Sequence, residues 1–218
     1  KNCRDNLREA LPEFSDKICD VENILSKEDI IKRSEEHTDK IVDKEKINLV
    51  SVCRISYHDK GLNRGLEALK RLKEENILTD NIVWYWIGSG ENLDEAKEFI
   101  EKNELTKNVV LLGSKQNPLP YEKQMTLFFL PSRYEGKPMA VTEAQMLSLP
   151  CVVTEYASAR EQIADGIDGL VLENSDEAIY TFLKDLINGK IDIAVLKENV
   201  AKKSFSNEET LRKLYELL

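Results

Sequence analysis

From Ile47 onward the chain alternates short, nearly continuous apolar runs with stretches whose apolar residues recur at helical spacing, and few folds satisfy that rhythm. The runs NLVSVC (48–53), NIVWYWIG (81–88), NVVLLG (108–113), TLFFLPS (126–132), CVVT (151–154) and GLVLE (169–173) read as strands. Between them, LNRGLEALKRLKEE (62–75) sets Leu62, Leu66, Leu69 and Leu72 on one helical face. ENLDEAKEFIEKN (91–103), PMAVTEAQMLS (138–148) and DEAIYTFLKDLING (176–189) read as further helices. Pro138 is placed at the first helical position, where its missing N–H is no loss, and Gly189 reads as a stop. Strands without polar alternation must be buried on both faces, and strands separated by helices run parallel. Right-handed crossovers then give an α/β, doubly wound parallel sheet of Rossmann-like form. In such a sheet a ligand sits beyond the carboxyl ends of the strands, so the search for function narrows to the loops that follow them.

The bulk numbers remove several classes of function. A length of 218 residues suits one sizeable domain with an extension. With 31 basic and 40 acidic side chains the net charge is −9, which argues against a broad nucleic-acid surface. No apolar run approaches the ~18 residues of a membrane span, and KNCRDNLREA is too charged for a signal peptide. Cys3, Cys19, Cys53 and Cys151 include no CxxC pair; Cys53 and Cys151 lie in apolar runs and read as plain buried thiols. With His37 and His58 the only histidines, no metal site is expected, and the free thiols suit a reducing cytoplasm.

Residues 1–46 break the rhythm. Half of them are charged and no strand pattern is visible. A short helix is expected near 6–11, stopped at Pro12, and another from Lys27 to about Thr38, capped by Ser26 with Asp29 three residues on. This stretch is expected to be a linker or remnant leading from a preceding domain, and the initial Lys points to part of a longer protein. Residues 47–205 form the expected Rossmann-like domain, and 206–218 a closing helix capped at Ser206 or Asn207.

Three loops carry candidate chemistry. After the first strand come Arg54, Lys60 and Gly61, followed by a helix; an Arg fork, a Lys point charge and free helical N–H groups suit an anion, though ordinary surface charges fit the spacing as well. Gly88-Ser89-Gly90 follows the second strand and reads either as a ligand contact or as a tight turn. The densest run is PSRYEGKPMAVTEAQ, 131–145: Glu135 in a loop, Gly136 open to close approach, Pro138 opening a helix, and the N–H groups of Met139 and Ala140 facing the crevice. Glu143, in the second turn, is expected to face the same ligand as Glu135; both can equally be solvated carboxylates. Lys137 adds a third cation, directed at a phosphate, an acidic sugar or water, and His58 reads as an exposed loop residue.

The pair Glu135-x7-Glu143 resembles the signature of retaining glycosyltransferases of family 4, which have the GT-B fold. SVCRISYHDKG (51–61) is similar to that family's phosphate-binding loop, and IGSGE (87–91) and REQIADGIDGLVL (160–172) follow in the family's order. The likeness covers about 47–190, and DVENILSKEDIIKRSEE (20–36) is similar to its interdomain linker. Cys53 departs from it, standing where Gly is common. The resemblance implies a nucleotide-diphosphate-sugar donor, commonly UDP-linked, and a polysaccharide, lipopolysaccharide or glycolipid acceptor. It implies that Arg54, Lys60 and the Met139 and Ala140 N–H groups hold the diphosphate, that Glu143 binds the ribose, and that Glu135 contacts the sugar beside Gly136, Lys137 and Pro138. The loop Ser114–Asn117 would frame the base. No metal and no other cofactor is implied. The partners implied are the nucleotide sugar, a glycan or lipid-linked acceptor and a separate N-terminal domain, without which this part is expected to be inactive. The full protein is expected in the cytoplasm, peripheral on the inner face of the membrane. A non-catalytic nucleotide-binding module, or an epimerase or phosphorylase on the same fold, is the alternative.

Overall fold

The computed structural model describes residues 2–217. Its strands are β1 Ile47–Val52, β2 Ile82–Ile87, β3 Val109–Gly113, β4 Leu127–Leu130, β5 Cys151–Thr154 and β6 Gly169–Leu172. The helices are α1 Asn2–Ala10, α2 Lys27–Ser34, α3 Leu62–Glu74, α4 Leu93–Lys102, α5 Leu119–Glu122, α6 Met139–Met146, α7 Ala159–Gln162, α8 Asp176–Ile187, α9 Ile193–Ala201 and α10 Glu208–Leu217, with a 3-10 turn at Pro12–Lys17. All strands pair in parallel, in the order β3-β2-β1-β4-β5-β6. This is the doubly wound sheet that the alternation predicts. The chain leaves β1 toward one edge and returns at β4 toward the other, so the carboxyl ends of β1 and β4 flank a crevice.

One face of the sheet is covered by α3 and α8, which pack on each other. Leu62, Leu66, Leu69 and Leu72 are all at most 2% exposed there, each burial contributing about 1.5–3 kcal/mol. Gly65 lets α3 approach the sheet, because a Cβ at that position would lie 2.3 Å from the Trp84 ring. Ser51, a polar residue inside an apolar strand, is satisfied: its hydroxyl donates to the Phe129 carbonyl and accepts from Trp84 Nε1 at 2.9 Å.

The other face lies under α5 and α6 and buries polar groups among its aliphatics, including Glu122, Gln145 and Gln162. Helix α2 joins this side through Ile30, which packs with Leu119 and Met146. The Ser26 side chain accepts the Asp29 N–H at 3.1 Å, the expected cap, but α2 ends at Ser34, short of Thr38. At the other end of the chain, Ser206 Oγ accepts the Glu208 N–H, while Asn207 spends its amide on Leu25, at 2.8 and 3.4 Å. The start of α10 is thereby pinned to the stretch before α2. Leu211 is 39% exposed, and the expected apolar contact of Leu218 lies outside the described residues. No described helix is long and apolar enough to cross a membrane.

Three helices escaped the sequence pattern. Helices α5 and α7 are four residues each, too short to show a period. Helix α9 buries only Leu196 and Val200. Pro138 stands one place before its expected position: it is the capping residue, with ψ 123°, and α6 begins at Met139.

Candidate functional site

The loop after β1 is sewn to the loops on either side of it. The Ile55 N–H donates to the Ser89 carbonyl at 2.9 Å and the Tyr57 N–H to Asn92 Oδ1 at 2.8 Å. The backbones approach so closely that a Cβ on Gly88 would lie 1.9 Å from the Cys53 carbonyl oxygen, and one on Gly90 2.2 Å from that of Ile55. These two glycines are therefore demanded by the protein's own packing, which favours the turn over the ligand contact among the two readings of Gly88-Ser89-Gly90. On the β4 side, the Arg133 N–H donates to the Asp59 carbonyl at 2.7 Å. Gly61, at φ +69°, sits against the Pro131 carbonyl, where a Cβ would lie 2.2 Å from the oxygen.

Across this seam Lys60 Nζ pairs with Glu135 Oε1 at 2.8 Å, their side chains 19% and 8% exposed. The Ser132 hydroxyl donates to the same oxygen at 2.8 Å. Glu135 Oε2 makes no hydrogen bond among the described residues. Two candidates from separate loops are thus brought into contact, with one carboxylate oxygen left for a ligand. Arg54 stands apart: its guanidinium turns to Asp59 at 2.8 Å and the side chain is 60% exposed. It lines a shallow cleft with Gly88, Ser89, Ser114 and Lys115 at the ends of β1, β2 and β3.

The segment from Glu135 to α6 is braced from the β5 side. The Ser158 hydroxyl donates to the Gly136 carbonyl, and Gln162 Nε2 to the Pro138 carbonyl at 3.1 Å and to Thr142 Oγ1 at 3.0 Å. Tyr156 in turn donates to Gln162 Oε1 at 3.0 Å. A Cβ on Gly136 would meet nothing within 4 Å, so the space beside it is open. Helix α6 has no side-chain cap, and the Met139 and Ala140 N–H groups bond to no acceptor in the loops around them. First-turn groups have none within the helix either, so these donors remain available to an anion.

Lys137 and Glu143 find surroundings that the sequence does not specify. Lys137 pairs with Glu22 at 2.7 Å and lines the same cavity as Glu135. Glu143 is not among the residues that line the cavity beside Glu135. Glu135, Gly136 and Lys137 line a cavity of about 510 Å³ whose opposite wall is the stretch before α2, including Arg4, Asp20 and Glu22. Glu143 lies half-buried on the α2 side, where burial pushes its carboxyl upward and Arg33 opposes the shift. The Asn117 side chain is held by the chain itself: its amide donates to the Arg33 carbonyl and to Glu36, both at 2.9 Å.

Of the two cysteines read as buried thiols, Cys151 is 0% exposed. Cys53 lies one residue past β1, partly buried between the two cores, and burial pushes its thiol up to about 12. His58 is exposed and stacks on Tyr134 with ring centroids 6.0 Å apart. Among the described residues no group of three or more His, Cys, Asp or Glu could hold a metal ion. The residues that sequence reasoning missed are the braces Ser132, Ser158 and Gln162. Their only signal is that polar side chains stand where strands end and must find partners.

Known proteins resemble this chain in sequence and in fold. The chain is 32% identical over 122 residues to an Escherichia coli UDP-Gal:alpha-D-GlcNAc-diphosphoundecaprenol alpha-1,3-galactosyltransferase, covering 56% of this chain and 31% of that protein. It is 31% identical over 179 residues to the uncharacterized glycosyltransferase MJ1178 of Methanocaldococcus jannaschii, covering 75% of this chain and 51% of the other. Among solved structures, a TarM mutant of S. aureus in complex with Fondaparinux, alpha-GlcNAc-glycerol and UDP superposes with a TM-score of 0.71 at 21% identity, over 92% of this chain and 39% of that one. The chain therefore spans about a third of the length of the E. coli relative and about half that of the archaeal one. The six-stranded parallel sheet matches GT-B glycosyltransferase structures. Residues 32–203 match the family described as Glycosyl transferases group 1, which takes in β1 to β6 and every candidate site residue, and the chain belongs to that family.

Proposed function

We propose that this chain is the donor-binding part of a retaining family 4 glycosyltransferase that moves a sugar from a nucleoside diphosphate, UDP in the first instance, to a polysaccharide, lipopolysaccharide or glycolipid acceptor. The observation that carries this reading is the Lys60–Glu135 pair at the topological switch point, beside the uncapped N-terminus of α6. A diphosphate laid along that helix end meets the Met139 and Ala140 N–H groups, the Lys60 ammonium and, after a turn of its side chain away from Asp59, Arg54. The bond between the anomeric carbon and the diphosphate oxygen breaks, the bond to the acceptor oxygen forms on the same face of the sugar, and the acceptor hydroxyl's proton passes to the leaving phosphate. The charge that grows on the leaving phosphate is met by fixed donors and cations, so this arrangement needs no metal for that task. Glu135 Oε2 receives a sugar hydroxyl, Gly136 leaves room for the ring, and Glu143 takes the ribose hydroxyls. The sugar cavity is walled on its far side by the stretch before α2, and the acceptor is supplied from beyond it by a second, N-terminal domain, as the relatives' greater length suggests. The chain by itself then binds donor and transfers no sugar. A nucleotide-sugar donor places the whole protein in the cytoplasm, peripheral on the membrane where its acceptor is lipid-linked.

Calorimetric titration with UDP, GDP and ADP, with and without magnesium, tests the reading. UDP is expected to bind selectively and without regard to magnesium. Each charge-assisted hydrogen bond contributes about 1.5–3 kcal/mol, so Arg54→Ala should weaken UDP about 10-fold or more, and Arg54→Ala/Lys60→Ala further. Lys60→Ala also strands a buried carboxylate, so the exposed Arg54 is the arm that leaves the fold intact. Equal binding of all three nucleotides, untouched by either variant, would overturn the proposal.

A further inference from the structure

The amino ends of β1 and β4, the two strands whose carboxyl ends flank the crevice, carry a second pocket. It has a volume of about 670 Å³ and is lined by Lys40, Lys44, Lys123 and Lys197, with Thr38 and Asn48 among the polar residues, and no carboxylate lines it. That is a concentration of one sign of charge in a chain with 40 acidic and 31 basic residues. Lys40, Lys44 and Lys197 enter no ion pair among the described residues, while Lys123 lies 3.6 Å from Glu35. The neighbouring acids Asp39, Asp43 and Glu45 are not part of the lining.

The floor of the pocket is built rather than incidental. The loop that carries Lys40 and Lys44 is stapled to the turn after α5: Gln124 accepts the Ile41 N–H at 3.2 Å and donates to the Asp39 carbonyl at 3.1 Å. Asn48 is 2% exposed, and its amide nitrogen donates to the Asp43 and Lys46 carbonyls at 2.8 and 2.9 Å. Its Oδ1, like the Thr38 hydroxyl, is buried with no partner. A buried acceptor without a donor costs about 1–3 kcal/mol, and a ligand hydroxyl would satisfy it. The lysines call for an anion and Asn48 Oδ1 calls for a hydroxyl. The pocket is of a size ordinary for small-molecule sites.

We propose that this pocket binds a phosphate monoester or diester that carries free hydroxyls, as a sugar phosphate or a polyol phosphate headgroup does. The lysines take the phosphate, Asn48 Oδ1 accepts from a ligand hydroxyl, and Thr38 completes the cradle. The site lies the length of β1 away from the donor crevice, about 20 Å at strand rise, and the two fill independently.

The test is calorimetry at low ionic strength with glucose 1-phosphate, in the presence and absence of saturating UDP, beside inorganic phosphate and glucose. The expected result is binding that UDP does not displace, that Lys44→Ala/Lys197→Ala weakens at least 10-fold and Thr38→Ala several-fold, and that Arg54→Ala leaves unchanged. Sedimentation with phosphatidylglycerol and phosphatidylcholine vesicles separates the sources. Binding only to phosphatidylglycerol, lost in the double lysine variant, supports the same chemistry supplied by a lipid headgroup. Displacement by UDP or loss in Arg54→Ala would move the ligand to the donor crevice and overturn the proposal. Inorganic phosphate binding as tightly would overturn the hydroxyl contacts, and binding to neither probe would overturn the site. All variants are of exposed or loop side chains; UDP binding of the lysine and threonine variants, and thermal melting of Arg54→Ala, report on their folds.

Discussion

Helices α3 and α6 stand on either side of the same crevice and are built for opposite tasks. Neither helix has a side-chain cap, but the turn into α3 is packed by the protein: Gly61 takes a left-handed turn against Pro131, and the Gly61 carbonyl accepts the Arg64 N–H at 3.0 Å. Its leucines are sealed against Trp84 and Phe129. Helix α6 starts with no side-chain cap, an open space at Gly136 and Met139 43% exposed. The face beneath it buries polar side chains, Glu122, Gln145 and Gln162, where the α3 face is mainly hydrocarbon and aromatic. One helix anchors the sheet and carries Lys60 to the crevice; the other leaves its donors free. The binding proposed for this crevice gathers where packing is left incomplete.

The largest expected effect lies on the anchor side. Leu66→Ala should lose about 2–5 kcal/mol in urea unfolding, because it opens a cavity in a fully buried contact. Met139→Ala, on the open helix, should stay within about 0.5 kcal/mol. Comparable losses at the two sites would erase the distinction.

The polar face should reveal itself through pH. Glu122 is 0% exposed with both carboxyl oxygens unpartnered, and burial, with Glu143 adding repulsion, pushes it from 4.5 to about 8. The folded state keeps this proton until about pH 8, whereas the unfolded chain releases it near 4.5. The stability is therefore complete below the lower value and lost as pH rises to the higher one, by on the order of a few kcal/mol. Glu122→Gln should flatten the melting temperature across that window; a variant that falls as steeply as the wild type would assign the loss to other groups.

The smallest effect is the sharpest on mechanism. Met139→Pro deletes one first-turn N–H at a position where proline suits the helix. UDP affinity should fall by about 1 kcal/mol, roughly fivefold, with melting unchanged. Unaltered affinity would take the phosphate away from α6.

Much of the fold was legible. All six strands stand within two residues of where the apolar runs place them, since a strand buried on both faces leaves an uninterrupted apolar signature. The candidate site was legible as a set of loops and only partly as a constellation. Glu135 and Lys60 are 75 residues apart, and nothing local says that they touch. Nothing local pairs Lys137 with Glu22 either, and the burial of Glu122 arises only when α2 packs on α5.

The sequence by itself determined the alternation of strand and helix, the parallel sheet and the loops in which binding groups would lie, because hydrophobic period and turn chemistry are local properties of the chain. Only the tertiary structure decided which of those groups meet: Lys60 with Glu135, Arg54 with Asp59, Lys137 with Glu22, and Glu143 half-buried near Arg33. Those pairings depend on β1 lying beside β4, a neighbour relation between elements far apart in sequence, and charge interactions are settled by distances that the order of residues does not contain.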